Sequence, residues 1–306
     1  MPELSVVVPV FNGKKYIKNT IQSLVRISEK IDTEVIFQDA LSTDGTSEII
    51  EKCVFQHGNF FHHREKDSGQ SDAINRGIKK AKGKWVTWLC ADDLFLDKFV
   101  DMFNKLNKEN NLDIIYGDCV FLKDKILVPA VGTETYEKGK LSKKRLFIQQ
   151  PGTCILKKEW DRHCGLDVGL NWTMDYDLFL RLENSNLEFK RFSDFVSVAR
   201  IHDEAKTSSG NFLRFIEHAK IFARIHRKKI NNFRPTPYAV YFIEYIIKKM
   251  EAEKSKSFFL KILHGLFWKM AKPTEKDKIT EMFNKQKNEI EKNILFLESQ
   301  KNEQAK

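Results

Sequence analysis

The period of the apolar positions changes along the chain. Residues Leu4–Val10 are a β-rich run that carries Pro9 near its end. Over 14–26 the spacing becomes helical, with Tyr16, Ile17, Ile21, Leu24 and Val25 recurring on one side. A short strand at 34–37 leads into Asp39. Ser42-Thr43-Asp44-Gly45-Thr46 is a turn rich in helix-capping side chains, and 46–53 is the helix it opens. A helix at 73–81 is stopped by Gly83, a buried strand follows at 85–90, and 112–116 is a further strand. Between them 94–106 reads as an amphipathic stretch with Phe95, Phe99, Met102, Phe103 and Leu106 on one side. Strands alternating with helices predict a mostly parallel α/β sheet.

Past residue 119 the pattern is less regular. Residues 175–183 read as a helix, and 195–201 as a strand ending at His202. From Asn211 the spacing is helical again, through Phe212, Phe215, Ile216, Ala219, Phe222 and Ala223. Arg234-Pro235-Thr236-Pro237 breaks it, two aromatic-rich segments follow at 238–250 and 258–270, and 274–300 is highly charged. In that last stretch Phe283, Ile290 and Leu297 stand seven apart, a short heptad signal. The chain thus divides into an α/β region over 1–205 and a helical region over 206–306.

With 306 residues there is room for one large domain plus an extension, or for two small domains. The 42% hydrophobic and 31% charged content is that of a globular protein and excludes wholesale disorder. No apolar run is long enough to cross a bilayer, and the first eleven residues lack a basic leader, so they read as a strand and not a signal peptide. Five scattered Cys without a Cys-x-x-Cys pair point to reduced thiols in the cytosol, not to a disulfide framework or a zinc site. Residues 1–205 hold 30 basic and 31 acidic side chains, whereas 206–306 hold 22 and 11, so the whole net charge of +10 sits in the last third. Such a tail meets nucleic acid, an anionic membrane or an acidic partner, or is a solvated surface. No nucleic-acid recognition motif accompanies it, which argues against the first.

In sheets of this class ligands bind beyond the carboxyl ends of the strands. Pro9-Val10-Phe11-Asn12, Asp39 and Asp92-Asp93 all sit at such ends. Adjacent carboxylates are hard oxygen ligands suited to Mg²⁺ or Mn²⁺, and a metal there stabilises a departing diphosphate; alternatively Asp92 caps a helix starting near Leu94. Phe11 can stack on a nucleobase and Asp39 can accept its N–H; their plainer readings are a core ring and a turn residue. The stretch from Asp67 to Gly77, which contains Asp72, offers two glycines and several polar groups before a helix, where phosphates or a ribose can be held. Asp175 and Asp177 lie at a helix start that keeps them ionised, so one of them can serve as a general base while the other caps the helix or pairs with Arg181. His202 is a nitrogen ligand for the metal or a plain hydrogen-bonding residue.

In this order and spacing, these motifs over about residues 3–205 resemble glycosyltransferase family 2. That resemblance implies a GT-A fold, with a Rossmann-like, mostly parallel catalytic domain over 1–205, and an inverting transfer. It also implies roles. Pro9, Phe11, Asp39, Asp72 and Asp92 form the nucleotide-binding set, Asp93 and His202 hold Mn²⁺ or Mg²⁺, and Asp175 is the base. The chain departs from the family pattern at Ala40-Leu41, at Ala91 in the first place of the Asp-x-Asp motif, and at Met174 in place of a Glu.

The expected donor is a nucleotide sugar, UDP-linked by resemblance, and the expected acceptor a glycan or lipid-linked saccharide in cell-surface polysaccharide synthesis. A nucleotide-sugar-binding protein without transferase activity is the rival reading. The basic, aromatic segment 236–272 is the expected peripheral contact with the inner face of the cytoplasmic membrane, or else it packs on the protein or forms a homo-oligomer interface.

Overall fold

The computed structural model describes residues 1–109, 111–130, 133–143, 147–203, 205–206, 211–226 and 276–303. The segment 236–272 lies outside the described residues. Strands β1 (Leu4–Val10), β2 (Thr33–Asp39), β3 (Phe60–Arg64) and β4 (Trp85–Trp88) are parallel and are linked through α1 (Ile17–Ser28), α2 (Thr46–Gln56) and α3 (Gln70–Lys80). Every residue of β1, β2 and β4 is buried, as expected of strands covered on both faces. Alternation sorts their side chains: Val6, Val8 and Val10 pack with α1, α2 and α4 (Lys98–Leu106), and Val7 faces α3 and α7 (Met174–Glu183). Gly77 lets α3 reach the sheet, since a Cβ there would stand 2.4 Å from Val7 Cγ1.

Beyond β4 the sheet becomes mixed. Strand β8 (Thr153–Leu156) runs antiparallel to β4 and to β6 (Ile114–Lys123), and β9 (Phe189–Arg200) runs parallel to β6. Strand β5 (Leu94–Phe95) closes the edge on β9, and β7 (Ile126–Pro129) forms a hairpin with β6. Among the described residues the order is β3-β2-β1-β4-β8-β6-β9-β5, with β7 beside β6. The shorter helices α5 (Lys140–Lys143) and α6 (Lys157–Arg162) cover the α7 side.

Several boundaries move from their expected places. The amphipathic stretch 94–106 is helical only from Lys98, because β9 captures its first residues, with Leu94 opposite Val198 and Phe95 opposite Ser197. Strand β3 carries His62 and His63 where apolar residues would mark a strand, and β8 lies within an irregular stretch, so neither is apparent in the sequence. The seven-residue spacing of Phe283, Ile290 and Leu297 is the inner face of α9 (Lys276–Glu303), which packs on Leu94, Leu96, Phe195 and Val198 of its own chain and is not a coiled-coil seam. Helix α8 (Asn211–His226) also packs on the α/β region, burying Ile221 in the α7-side core.

Candidate active site

The loops after β1 and β2 are tied together at the carboxyl edge of the sheet. Asn12 takes a left-handed conformation (φ 51°), donates its N–H to Ser42 Oγ (2.9 Å) and accepts from the Thr43 N–H (2.9 Å). Phe11 is thereby left 66% exposed at the rim. Leu41, in the Ala40-Leu41 departure from the family pattern, also has positive φ (64°) and is exposed. Asp39 closes β2 with no accessible surface. It accepts the Ser42 N–H (2.8 Å) and the Ser47 hydroxyl, and its Oδ2 lies 3.3 Å from His62 Nε2. Burial alone would raise its pKa; the bonds from His62, Ser47 and Ser42 together outweigh it and hold the carboxyl well below the usual range. Asp72 is engaged with its own loop, accepting from Ser68 N–H (2.9 Å) and pairing with Arg76 (2.9 Å).

The loop after β4 carries Cys90, Asp92 and Asp93, one ligand atom from each lying within 4.8 Å of the others. A tight turn, Asp93 N–H to Cys90 C=O (3.0 Å), aims the two carboxylates differently. Asp93 is buried and accepts the Arg200 backbone N–H (3.0 Å). Burial and the adjacent Asp92 charge push its pKa well up. Asp92 faces outward and meets His202 Nε2 at 2.8 Å, across 110 residues. The His202 ring lies 4.8 Å from Tyr16, which also sits beneath the Arg200 guanidinium. The Asp92 and Asp93 carboxylates are hard oxygen donors that suit Mn²⁺ or Mg²⁺, with the Cys90 thiol as a softer neighbour and His202 Nε2 in contact with Asp92.

Helix α3 joins this loop to α7. Gln70 Nε2 contacts Cys90 Sγ (3.2 Å), while the next residue, Ser71, donates to Leu170 C=O (3.1 Å) and touches Met174 Sδ (2.9 Å). Asp175 follows at the start of α7, half-buried. Burial pushes its carboxyl up to about 6, opposed by the bond from the Tyr176 N–H and by the charge of Arg214. Asp177 points elsewhere, paired with Arg181 (2.9 Å) and 3.6 Å from Arg224. The structure therefore gathers Phe11, Asp39, Asp92, Asp93 and His202 at the ends of β1, β2, β4 and β9, with Asp175 reached through α3. The contributions of Tyr16 and Arg200 were not apparent from the sequence, although Arg200 stands two residues before His202.

Known proteins resemble this chain in sequence and in fold. An uncharacterised glycosyltransferase of Rickettsia typhi is 29% identical over 220 residues, covering 68% of this chain and 67% of the relative. One of Methanocaldococcus jannaschii is 24% identical over 298 residues, covering 93% and 97%. A Rickettsia bellii relative is 32% identical over 120 residues, and there the match spans 17% of the relative's length. Among solved structures, Staphylococcus aureus TarS in complex with UDP-GlcNAc superposes with a TM-score of 0.59 at 17% identity, over 81% of this chain and 73% of TarS. The mannosyltransferase PcManGT of Pyrobaculum calidifontis, in complex with GDP-Man and Mn²⁺, gives 0.53 at 14% identity, over 97% and 86%. At these identities the structures establish a shared GT-A-like fold. The family model described as Glycosyl transferase family 2 matches residues 5–165, more than half of the chain, and the chain belongs to that family.

Proposed function

We propose that the protein is an inverting, metal-dependent glycosyltransferase that moves a sugar from a nucleotide-sugar donor to a hydroxyl of a glycan or lipid-linked saccharide. The observation that carries this reading is the convergence of Asp92, Asp93 and His202 at the strand ends, bridged by α3 to a carboxylate on α7. Asp93, fixed on the Arg200 N–H, and His202 would hold Mn²⁺ or Mg²⁺, with Asp92 beside them serving the ion or the ribose. When bound, the ion supplies positive charge that stabilises a departing diphosphate.

The nucleotide lies over the tied loops after β1 and β2, where exposed Phe11 offers a stacking face. Asp39 shapes that pocket from behind. Asp175 takes the proton from the acceptor hydroxyl: its carboxyl, pushed up to about 6, is ionised at neutral pH yet more basic than an ordinary Asp. Asp177 is tied to Arg181 and so is the poorer base.

Among the described residues no helix is long and apolar enough to cross a membrane. Segment 236–272, basic and rich in aromatic residues, is the acceptor-side contact with a lipid surface.

A screen of UDP- and GDP-sugars tests the proposal, following thermal shift and nucleoside diphosphate release with Mn²⁺ or Mg²⁺ present. The expected result is stabilisation and metal-dependent release by at least one donor, lost on chelation. Stabilisation without release or transfer to any saccharide acceptor would favour a binding protein, and no response to any donor would overturn both.

A further inference from the structure

We infer that Glu217, on α8, is a positioning residue for the base: it locks residues 171–173 at the entry to α7 and thereby fixes where Asp175 stands. The inference rests on the reading of Asp175 as that base. Glu217 is buried, and its carboxylate accepts the backbone N–H groups of Asn171 (2.8 Å), Trp172 (2.9 Å) and Thr173 (3.1 Å) and the Thr173 hydroxyl (2.9 Å). Thr173 is the N-cap residue of α7, yet its hydroxyl makes no cap within its own helix. It donates instead to a side chain 44 residues away. Charge-assisted bonds of this kind are stronger than neutral ones, and four converge on one buried group.

The rest of α8 repeats the pattern. The charge of Arg214 acts on Asp175, the His218 ring lies 5.4 Å from Tyr176, and Arg224 reaches Asp167 (2.8 Å) and Asp177 (3.6 Å). One face of one helix therefore addresses both sides of the base and the turn before it. Fixing an element this firmly matters where a misplacement near 1 Å costs about 10²-fold in rate.

Glu217→Gln, Glu217→Ala, Asp175→Asn and the Asp175→Asn/Glu217→Gln double variant separate the roles. Donor turnover is followed with the nucleotide sugar selected by the screen, nucleotide affinity by titration with its diphosphate and Mn²⁺, and amide exchange over 171–177 by mass spectrometry. Glu217→Gln is expected to keep its nucleotide affinity and donor KM within about twofold, lose kcat by roughly 10- to 100-fold, and exchange faster at 171–177. Glu217→Ala, with no acceptor left, is expected to lose more. The double variant is expected to turn over no more slowly than Asp175→Asn alone, because Glu217 acts through Asp175.

Unchanged kcat in both Glu217 variants, or a double variant slower by the product of the two single losses, overturns the positioning role. Near-normal turnover of Asp175→Asn overturns the reading of the base instead. If Glu217→Ala fails to fold, Glu217→Gln alone decides.

Discussion

Replacing Asp175 with Asn should make the protein more stable and less active at the same time. The folded pKa of this carboxyl is raised from 3.8 to about 6 by burial. Between these two values the native state binds more protons than the unfolded one, so stability falls as pH rises through the window. Above it, the full penalty of the buried charge is present. At about 1.4 kcal/mol per pKa unit, a shift of roughly 2 units sets a ceiling of about 3 kcal/mol. Partial solvent access at the site brings the expected value nearer to about 1–2 kcal/mol. Asn keeps an oxygen for the Tyr176 N–H and carries no charge. Urea unfolding at pH 7.5 should therefore show Asp175→Asn more stable than wild type by about 1–2 kcal/mol, and the difference should vanish below about pH 4. Transfer should fall by about 10²–10⁴-fold, and the wild-type rate should rise with pH through about 6. A variant no more stable than wild type at pH 7.5, or a gain that persists unchanged at pH 3.5, would refute the reasoning.

Other perturbations probe other links. His202→Ala and Asp92→Asn should each weaken Mn²⁺-dependent nucleotide binding by at least about tenfold, read by titration with and without metal; equal weakening without metal would count against a ligand role. Leu41→Gly should raise the unfolding free energy by about 1 kcal/mol, since Leu41 holds a positive φ of 64°; a lower Tm would contradict that backbone assignment. Gly77→Ala should cost about 1–3 kcal/mol because its Cβ meets Val7; an unchanged Tm would mean that α3 can retreat. Phe283→Ala on α9 should cost about 3–5 kcal/mol by thermal unfolding while nucleotide affinity persists in the folded protein.

The legibility of this fold follows the range of the forces involved. The parallel half was readable because β1 and β2 are buried on both faces and their composition shows it directly. The mixed half was not, since β5 is two residues long and exists only because β9, about a hundred residues later, pairs with it. Asp92, Asp93 and His202 stood out through their places at strand ends, yet the sequence could not tell which carboxylate turns outward. That is decided by the Arg200 N–H, which takes Asp93 and leaves Asp92 to His202. Asp177 is set apart from Asp175 by the Arg181 pair that the i, i+4 spacing allowed, with Arg224 on α8 a further 3.6 Å contact that the sequence did not show. Glu217 escaped notice because a single acid on an apolar helical stripe carries no sign that its partners are main-chain groups far upstream.

Helix α9 also imposes an order in time. It is synthesised after everything it covers, and its contacts reach back almost the whole chain, as in the bond from Asn19 Nδ2 to Leu297 C=O, 278 residues apart. While the last third of the chain is still being translated, β5 and β9 present Leu94, Phe195 and Val198 without α9 over them. At about 5–20 residues per second, that interval is roughly 5–20 s, long compared with the collapse of the parallel half. A nascent chain thus shows an apolar sheet edge to chaperones and to its neighbours on the polysome. Yield in the cell should depend on how quickly α9 arrives as much as on how tightly it finally packs.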